Sequence, residues 1–280
     1  MAISILTDCT VQFPNPVFEG RKQVTILPTR WNGELPVQDP LDLKAGDLPA
    51  STRNGSIPTL KAPTAEEIAE TFRSLSPRST GILAILQSSQ FSPTYDRALE
   101  AAKEVQGKVP IRVIDSLTTS LGLGILVETA AQSTDTYEDL TELELYVRSL
   151  LPRVYSLFCI PGLSYLQRRG YLNGPQALVG EHLGMLPVFT LDNGDLLPGE
   201  KARNMRHLVD ILHEFLAEFS DLEHIALLQG APAFEQETRA LRERLAEEHS
   251  NTPISEQIIG APLASQIGPH SLGIFALQSS

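Results

Sequence analysis

Residues 85–103 read ILQSSQFSPTYDRALEAAK and change from one hydrophobic pattern to another. The apolar run that ends at Leu86 is typical of a buried strand, whereas the residues after Pro93 have the spacing of an amphipathic helix. Ser92 is expected at the N-cap of that helix and Pro93 at its first position, where the proline ring already provides a helical φ angle. The stretch therefore predicts a strand followed directly by a helix, the unit from which α/β proteins are built.

The corner between this strand and this helix is rich in hydroxyl groups. Ser88, Ser89, Ser92 and Thr94 fall here, and the first charged residue after them is Asp96. Ligands of parallel α/β sheets bind at the carboxyl ends of the strands, which is where this corner is expected. From these residues alone two interpretations stay open: an ordinary helix cap, or a neutral hydrogen-bonding site for the polar end of a ligand.

Short apolar runs alternate with helical segments along the chain. The predicted strands are ISILTD, VTILPT, GILAILQ, IRVID, YSLFCI, LPVFTL, HIALLQ and GIFAL. Several early runs are continuously apolar, as in parallel strands that are covered on both faces. Among the predicted helices, PTAEEIAETFRSL opens with Thr64 and continues with Glu67, in the pattern of a capping box.

The second half of the chain is richer in glycine and proline. The segment LDNGD between two apolar runs predicts a hairpin, because Asn-Gly supplies the positive φ angles of a type I′ turn. We predict an α/β protein with two domains. Residues 1–152 form an N-terminal parallel-sheet α/β domain, and residues 153–280 form a C-terminal α/β domain with a mixed or antiparallel sheet and helices.

The composition argues against several classes of function. The formal net charge of −12 disfavours nucleic acid as a partner, because binding phosphates requires a basic surface. No uninterrupted apolar run reaches the roughly 20 residues of a membrane span, and the N-terminus lacks the pattern of a signal peptide. Cys9 and Cys159 fit neither a zinc site nor a disulfide framework. We expect a cytoplasmic protein with no cofactor, no metal and no membrane span.

Six segments along the chain resemble motifs of the DegV family, a group of bacterial lipid-binding proteins that includes the fatty-acid-carrying subunits of fatty acid kinases. ILTDCT resembles the family's T-D-S-T start, SSQFSPTY its S-S-x-L-S-G-T-Y corner, and VIDSLTTSLGLG its V-I-D-S…G-L-G segment. LSYLQRRGYL resembles L-x-Y-L-x-x-G-G-R-I, LPVFTLDNGDLLPGEKAR resembles the K-P-I-L-x-L-x-x-G hairpin, and IGPHSLGIFAL resembles the closing G-P-G-x-L-G. No single motif is diagnostic, but their order over nearly the whole length carries the resemblance.

The resemblance implies a two-domain DegV-like fold that binds a long-chain fatty acid or related lipid without acting on it. The acyl tail is expected in an apolar tunnel, and the head group at the interdomain hydroxyl corner. Ser92 matches the serine of the family's corner and is expected to contact the head group, with Ser89 nearby. Apolar residues of the second half could line a tunnel or form an ordinary core, namely Leu157, Phe158, Ile160, Leu183, Leu186, Val188, Phe189 and Phe275.

Three head-group positions of the family carry different residues in this chain. Leu60 stands where the family has a threonine, Gln266 where it has a histidine, and Tyr171 where it has an arginine. A buried carboxylate without these partners would be poorly compensated. The lipid could therefore be neutral or differently charged, it could be held without being passed to a kinase, or other residues could compensate. The candidates for compensation are Lys61, Arg168, Arg169 and His270.

A serine-dependent lipid or ester hydrolase is an alternative interpretation. Ser92 or Ser89 would be the nucleophile, and His270 would be the base, oriented by Asp115. Against this, the sequence lacks a G-x-S-x-G elbow, and Pro93 cannot donate the backbone N–H that an oxyanion hole often uses. A further alternative is the substrate-carrying subunit of a fatty acid kinase, whose catalytic subunit would be a partner, since this chain has no P-loop or protein-kinase signature.

Overall fold

The computed structural model describes residues 2–35, 37–53, 57–105, 107 and 109–279. Contacts between Cα atoms divide the chain into two compact units. The first unit comprises Met1–Arg30, Lys61–Arg153 and Asp192–Asp195, and the second comprises Trp31–Leu60, Val154–Leu191 and Leu196–Ser280.

Residues 31–60 group with the second unit, although the sequence analysis placed them in the N-terminal domain. The short 3-10 helix Ala45–Asp47 and the strand Thr59–Leu60 pack against the helix Ala261–Ile267, which accounts for this grouping. The division into domains at residues 152 and 153 stays a prediction.

The elements that the structure describes are numbered in chain order. The strands are β1 (Ala2–Thr7), β2 (Val24–Ile26), β3 (Trp31–Asn32), β4 (Thr59–Leu60), β5 (Ser79–Leu86), β6 (Ile111–Asp115), β7 (Val154–Cys159), β8 (Leu186–Asp192), β9 (Asp195–Ala202), β10 (Leu222–Gln229), β11 (Ile254–Ile258) and β12 (Leu272–Gln278). The α-helices are α1 (Ala65–Leu75), α2 (Thr94–Glu104), α3 (Ser120–Gln132), α4 (Leu140–Leu150), α5 (Leu163–Arg168), α6 (Gly174–His182), α7 (Met205–Ala217), α8 (Glu235–Glu248) and α9 (Ala261–Ile267).

The sheet of the first unit has the strand order β2-β1-β5-β6, and each neighbouring pair is parallel. In β5 the residues Ile82, Ala84 and Leu86 pack with α1 and α2 in one core, while α4 covers Gly81 on the opposite face. A strand covered on both faces is apolar at every position, which explains the continuous run in the sequence. The prediction of a parallel sheet in the N-terminal half is confirmed.

The strand β6 ends this sheet, and arginine side chains cover its outer edge. Pro110 and Ser116 bond towards β5, so by alternation the carbonyl of Val113 faces away from it. Arg148 Nη2 donates to that carbonyl at 3.3 Å. Glu144 holds both Arg148 and Arg112, at 2.8 and 3.0 Å.

The sheet of the second unit is mixed, with the order β11-β10-β12-β7-β8-β9. β10 and β11 are parallel, whereas β12 is antiparallel to both β10 and β7. Residues of α7 and α8, such as Leu212 and Leu241, form a core with Ile225 and Ile274 from the sheet. The predicted mixed sheet is confirmed, and so is the predicted Asn-Gly turn, since Asn193 and Gly194 have φ angles of 48° and 82° between β8 and β9.

Candidate functional site

The loop after β5 forms the hydroxyl-rich corner, but its helix begins later than predicted. α2 starts at Thr94 with Pro93 at the N-cap, so the assignment of Ser92 to the N-cap was wrong by one residue. The Ser92 hydroxyl instead lies 2.7 Å from the Thr94 hydroxyl and accepts from the Thr94 N–H at 3.3 Å. These hydrogen bonds stabilise the start of α2, although Ser92 lies one residue before the N-cap. Ser92 is half-buried.

Ser88 fixes the corner in place. Its buried hydroxyl donates to the Gly194 carbonyl at 2.7 Å and accepts from the Gln90 N–H at 3.2 Å. Its backbone N–H donates to the Thr118 carbonyl at 2.9 Å. The φ angle of 82° at Gly194 and the close approach of Ser88 leave no space for a Cβ atom there. Ser88 is therefore a structural residue of the first unit.

Two carboxylates connect the loops at this edge of the parallel sheet. Asp8, buried after β1, accepts from the Gln87 N–H at 2.6 Å and from the Thr10 N–H at 2.9 Å. Burial raises the pKa of the Asp8 carboxyl, and these hydrogen bonds oppose the shift. Asp115, after β6, accepts from the backbone N–H groups of Ser89 and Leu117. Both carboxylates therefore accept hydrogen bonds from the backbone of the loops at this edge.

Two of these hydroxyls were not predicted from the sequence. Thr7 Oγ1 and Thr118 Oγ1 are buried at the ends of β1 and of the loop after β6, and neither has a hydrogen-bond partner among the described residues. Buried hydroxyls without partners are uncommon and indicate polar groups that something else can satisfy. A threonine after an apolar strand gives only a weak sequence signal, because threonine is also a common strand residue.

The second unit contains an apolar cavity of about 570 Å³. This volume falls in the range of roughly 300–1,000 Å³ that is typical of small-molecule sites. The lining residues come from α5, α6, β8, β9 and the loops between them: Leu163, Tyr171, Leu172, Pro175, Gln176, Val179, Gly180, Met185, Pro187, Phe189, Leu196 and Pro198. Among the described residues of this lining, Tyr171 and Gln176 are the two with a polar side-chain group.

The predicted tunnel residues divide between the cavity and the core. Phe189 lines the cavity. Phe158 and Phe275 are fully buried and pack edge to face at 5.2 Å, and Val188 belongs to the core beneath α7. Leu183 is 68% exposed, which excludes it as a core residue.

The helix α6 forms a thin wall of the cavity. Gly180 lets it approach α5 so closely that a Cβ atom would overlap with Leu163 Cδ1. Val179 lines the cavity and is also 54% exposed, and Leu178 beside it is 52% exposed. α6 therefore presents two exposed apolar side chains at the cavity.

The segment between α5 and α6 places Tyr171 at the cavity through a defined turn. Gly170 has a φ angle of 83°, its N–H donates to the Gln167 carbonyl at 3.0 Å, and the Tyr171 N–H donates to the Leu166 carbonyl at 3.1 Å. These two bonds define a Schellman motif, which fixes the direction in which the chain leaves the helix. Arg169, the C-cap residue of α5, directs its guanidinium to α9, where Nη1 donates to Gln266 Oε1 at 3.2 Å.

The other predicted site residues of the second unit lie on neighbouring elements. Gln266 is buried on α9, which packs against α5 and against β4, the strand that contains Leu60. His270 is half-buried in the loop between α9 and β12, and a Cβ atom added at Gly230 would lie 3.3 Å from its Cα atom. Ser89 and Ser92 belong to the first unit. The roles of all six predicted residues in ligand binding stay predictions.

Neither cysteine has the properties of a reactive group. Cys9 and Cys159 are free thiols, and burial raises the pKa of each to about 12. A thiol with such a pKa stays protonated at neutral pH and is a poor nucleophile. The described part of the chain contains no group of three or more His, Cys, Asp and Glu side chains arranged for a metal ion. It also contains no helix with the length and apolarity that crossing a membrane requires.

A parallel sheet with a hydroxyl-rich carboxyl edge and a mixed sheet beside an apolar cavity define an α/β protein whose two larger sheets differ in type. The chain belongs to the DegV family, because the family model described as "Uncharacterised protein, DegV family" matches residues 2–279. The resemblance inferred from the six sequence motifs is thereby confirmed.

Relatives and solved structures match over the full length. A DegV domain-containing protein of Streptomyces coelicolor is 27% identical over 281 residues, which cover 97% of each chain. A DegV family protein from Thermus thermophilus, whose structure is described as fatty acid binding, is 26% identical with a TM-score of 0.81 over 100% of both chains. The fatty acid kinase B3 protein of Streptococcus pneumoniae, crystallised with linoleic acid, is 17% identical, has a TM-score of 0.83 over 100% of both chains and shows the same fold.

Proposed function

We propose that this protein binds a long-chain fatty acid or a related lipid and does not act on it chemically. The apolar cavity of the second unit carries the proposal, because it has the volume and the lining that an acyl tail requires. Each buried methylene contributes roughly 0.8 kcal/mol, so roughly ten methylenes would contribute about 8 kcal/mol before the cost of association.

The comparisons support the same class of ligand. The Thermus thermophilus protein is described as fatty acid binding, and the Streptococcus pneumoniae protein was crystallised with linoleic acid. Both match this chain over its whole length with TM-scores of 0.81 and 0.83. The contact of the head group with Ser92 stays a prediction within this proposal.

Mass spectrometry of the purified protein tests the proposal. Native spectra should show an added mass of one acyl lipid per chain, and organic extraction should release it. A protein that carries no acyl species as purified, and takes up none from a mixture of palmitic and oleic acids, would contradict the proposal.

The hydrogen bonds at the corner weigh against the serine hydrolase. The Ser92 hydroxyl pairs with Thr94, and Asp115 accepts from two backbone N–H groups, so neither residue shows the partner that a catalytic triad needs. An esterase activity that is abolished by Ser92→Ala would reverse this preference.

Delivery of the lipid to a kinase is a second candidate function. The observation that favours it is the full-length structural match to the fatty acid kinase B3 protein. A kinase subunit that phosphorylates the bound acid only when this chain is present would support it. The kinase partner and a cytoplasmic location stay predictions.

A further inference from the structure

We propose that a polar cavity between α8 and the edge strand β11 binds a short peptide with free termini, about three residues long. This cavity belongs to the second unit, but its lining shares no residue with the lining of the apolar cavity. The inference therefore goes beyond the proposed function and does not depend on it.

The polar cavity lies where the fold favours a ligand. β10 and β11 are parallel, and α8 connects them. Ligands of such β-α-β motifs bind beyond the carboxyl ends of the strands. The lining includes Gln229 from the end of β10 and Ile258 from the end of β11, and the volume is about 500 Å³. This volume is within the range typical of small-molecule sites.

A network of hydrogen bonds holds two charged side chains of the lining in place. Gln229 is only 2% exposed, and its Oε1 accepts from the Phe234 N–H at 2.9 Å. Its amide group donates to the Thr238 hydroxyl at 2.5 Å and to the Glu256 carboxylate. Glu256 in turn accepts from Arg242 Nη1 at 2.7 Å. The positions of Glu256 and Arg242 are therefore fixed by a buried amide.

Charged residues of α8 form a stripe along the cavity. Glu235, Arg239 and Arg242 have the spacing i, i+4 and i+7, which places them on one face of the helix, and all three line the cavity. Among the described residues, Glu235 has no hydrogen-bond or ion-pair partner. Arg242 bonds to Glu256 through Nη1, which leaves further guanidinium donors for a ligand. The stripe thus offers a carboxylate at one end and a guanidinium at the other.

The separation of these two charges determines the length of the ligand. Seven helical residues at a rise of 1.5 Å each place Glu235 and Arg242 about 10 Å apart along α8. An extended peptide spans roughly 3.3 Å per residue, so about three residues can present an ammonium to Glu235 and a carboxylate to Arg242. The planar guanidinium matches a carboxylate through two parallel N–H groups.

The edge of β11 supplies backbone partners for such a peptide. β11 is the last strand of the mixed sheet. The Ile259 N–H donates to the Gln229 carbonyl of β10 at 2.7 Å. By alternation, the backbone N–H and C=O groups of Glu256 face away from β10. An extended peptide can bind to a strand edge of this kind through main-chain hydrogen bonds.

Calorimetric titration with trialanine and its blocked forms tests the inference. Trialanine carries both terminal charges, whereas N-acetyl-trialanine lacks the ammonium and trialanine amide lacks the carboxylate. We expect trialanine to bind and each blocked form to bind at least about tenfold more weakly, which is the effect of losing one charge-assisted hydrogen bond. Dialanine should also bind more weakly than trialanine, because it is too short to reach both charges.

Matched variants assign each charge to one end of the peptide. Glu235→Gln should weaken trialanine binding about tenfold and leave the affinity for N-acetyl-trialanine unchanged. Arg242→Gln should weaken trialanine binding and leave the affinity for the amide unchanged. Arg244→Gln is the control, because Arg244 lies on the same helix but pairs with Asp210 at 2.6 Å and is not part of the lining. Thermal unfolding shows whether each variant is folded.

Three results would each overturn the peptide site. They are trialanine that does not bind at up to about 10 mM, blocked forms that bind as tightly as trialanine, and a folded Glu235→Gln variant with unchanged affinity for trialanine. None of them bears on the proposed function, because lipid uptake is measured separately by mass spectrometry.

Discussion

Gly180 lies in α6 where this helix crosses α5, and replacing it with alanine changes the cavity in a defined way. A Cβ atom at this position would overlap with Leu163 Cδ1 and lie 3.6 Å from Met185 Sδ. Leu163 and Met185 both line the cavity. Because Leu163 Cδ1 is the end of a flexible side chain, the side chain can rotate, and the cavity then loses space.

The change in free energy of unfolding should be small. A Gly→Ala substitution inside a helix gains about 1 kcal/mol, while turning Leu163 away from its preferred rotamer costs roughly 0.5–1.5 kcal/mol. These terms nearly cancel in the lipid-free protein. In the lipid-bound protein, the alanine methyl and the displaced Leu163 methyl together occupy the space of roughly two methylenes of the lipid. The longest acyl chain then loses about 1.6 kcal/mol of binding free energy. This corresponds to roughly 15-fold weaker binding.

The assay compares fatty acids of increasing length, with Gly174→Ala as the matched control. Gly174 begins the same helix, but a Cβ atom there would meet only Gln167 Nε2, at an ordinary contact distance of 3.7 Å. Affinities should be measured for saturated acids from decanoic to octadecanoic, and urea unfolding should be recorded for each variant. Only Gly180→Ala should shift the optimum towards shorter acids.

A folded Gly180→Ala variant with the same chain-length optimum as Gly174→Ala would refute the reasoning. Such a result would mean that the acyl tail does not occupy the space beside Leu163. A large loss of stability without any change in chain length would show that the helices separate instead of narrowing the cavity.

Two other predictions concern stability. Gly194→Ala should lower the free energy of unfolding by roughly 1.5–3.5 kcal/mol, because alanine disfavours a φ of 82° and its Cβ displaces the Ser88 hydroxyl. Urea unfolding of this variant and of the control Asn193→Gly checks the prediction. Equal stability of the two variants would contradict it. Burial raises the pKa of the Cys159 thiol from 9.0 to about 12. Between these two pH values only the unfolded state loses the thiol proton, so the free energy of unfolding should fall as pH rises, by up to about 1.4 kcal/mol per pH unit. Cys159→Ala should remove this part of the pH slope, and identical slopes would refute the assignment.

Local patterns in the sequence predicted much of the fold. The eight predicted strands correspond to β1, β2, β5, β6, β7, β8, β10 and β12. The capping box at Thr64 is present, with both reciprocal hydrogen bonds to Glu67. Such signals can be recognised in the sequence because the interactions that form these structures involve only a few adjacent residues.

The elements that were missed depend on contacts distant in sequence. β3 and β4 are only two residues long and pair with each other across residues 33–58, so no periodicity could identify them. β9 contains Pro198 and Gly199, which are unfavourable in strands, and it follows β8 through the hairpin. β11 is polar at Ser255, Glu256 and Gln257, as an edge strand can be.

The candidate site was predictable only in part for the same reason. Tyr171 was identified because it departs from a family motif, yet the sequence could not show that it lines a cavity. Arg169 was one of four possible compensating residues, and only the fold shows that its guanidinium reaches Gln266, 97 residues along the chain. Contacts of this kind have no local pattern.

The covered edge of β6 has a consequence for self-association. An exposed strand edge is a template on which another chain can add a strand and start an aggregate. A strand of another molecule that added to β6 would have to displace Arg148 from the Val113 carbonyl and break the ion pairs at Glu144. This edge of the sheet therefore resists extension into a shared sheet between molecules, which leaves strand addition to the other edges.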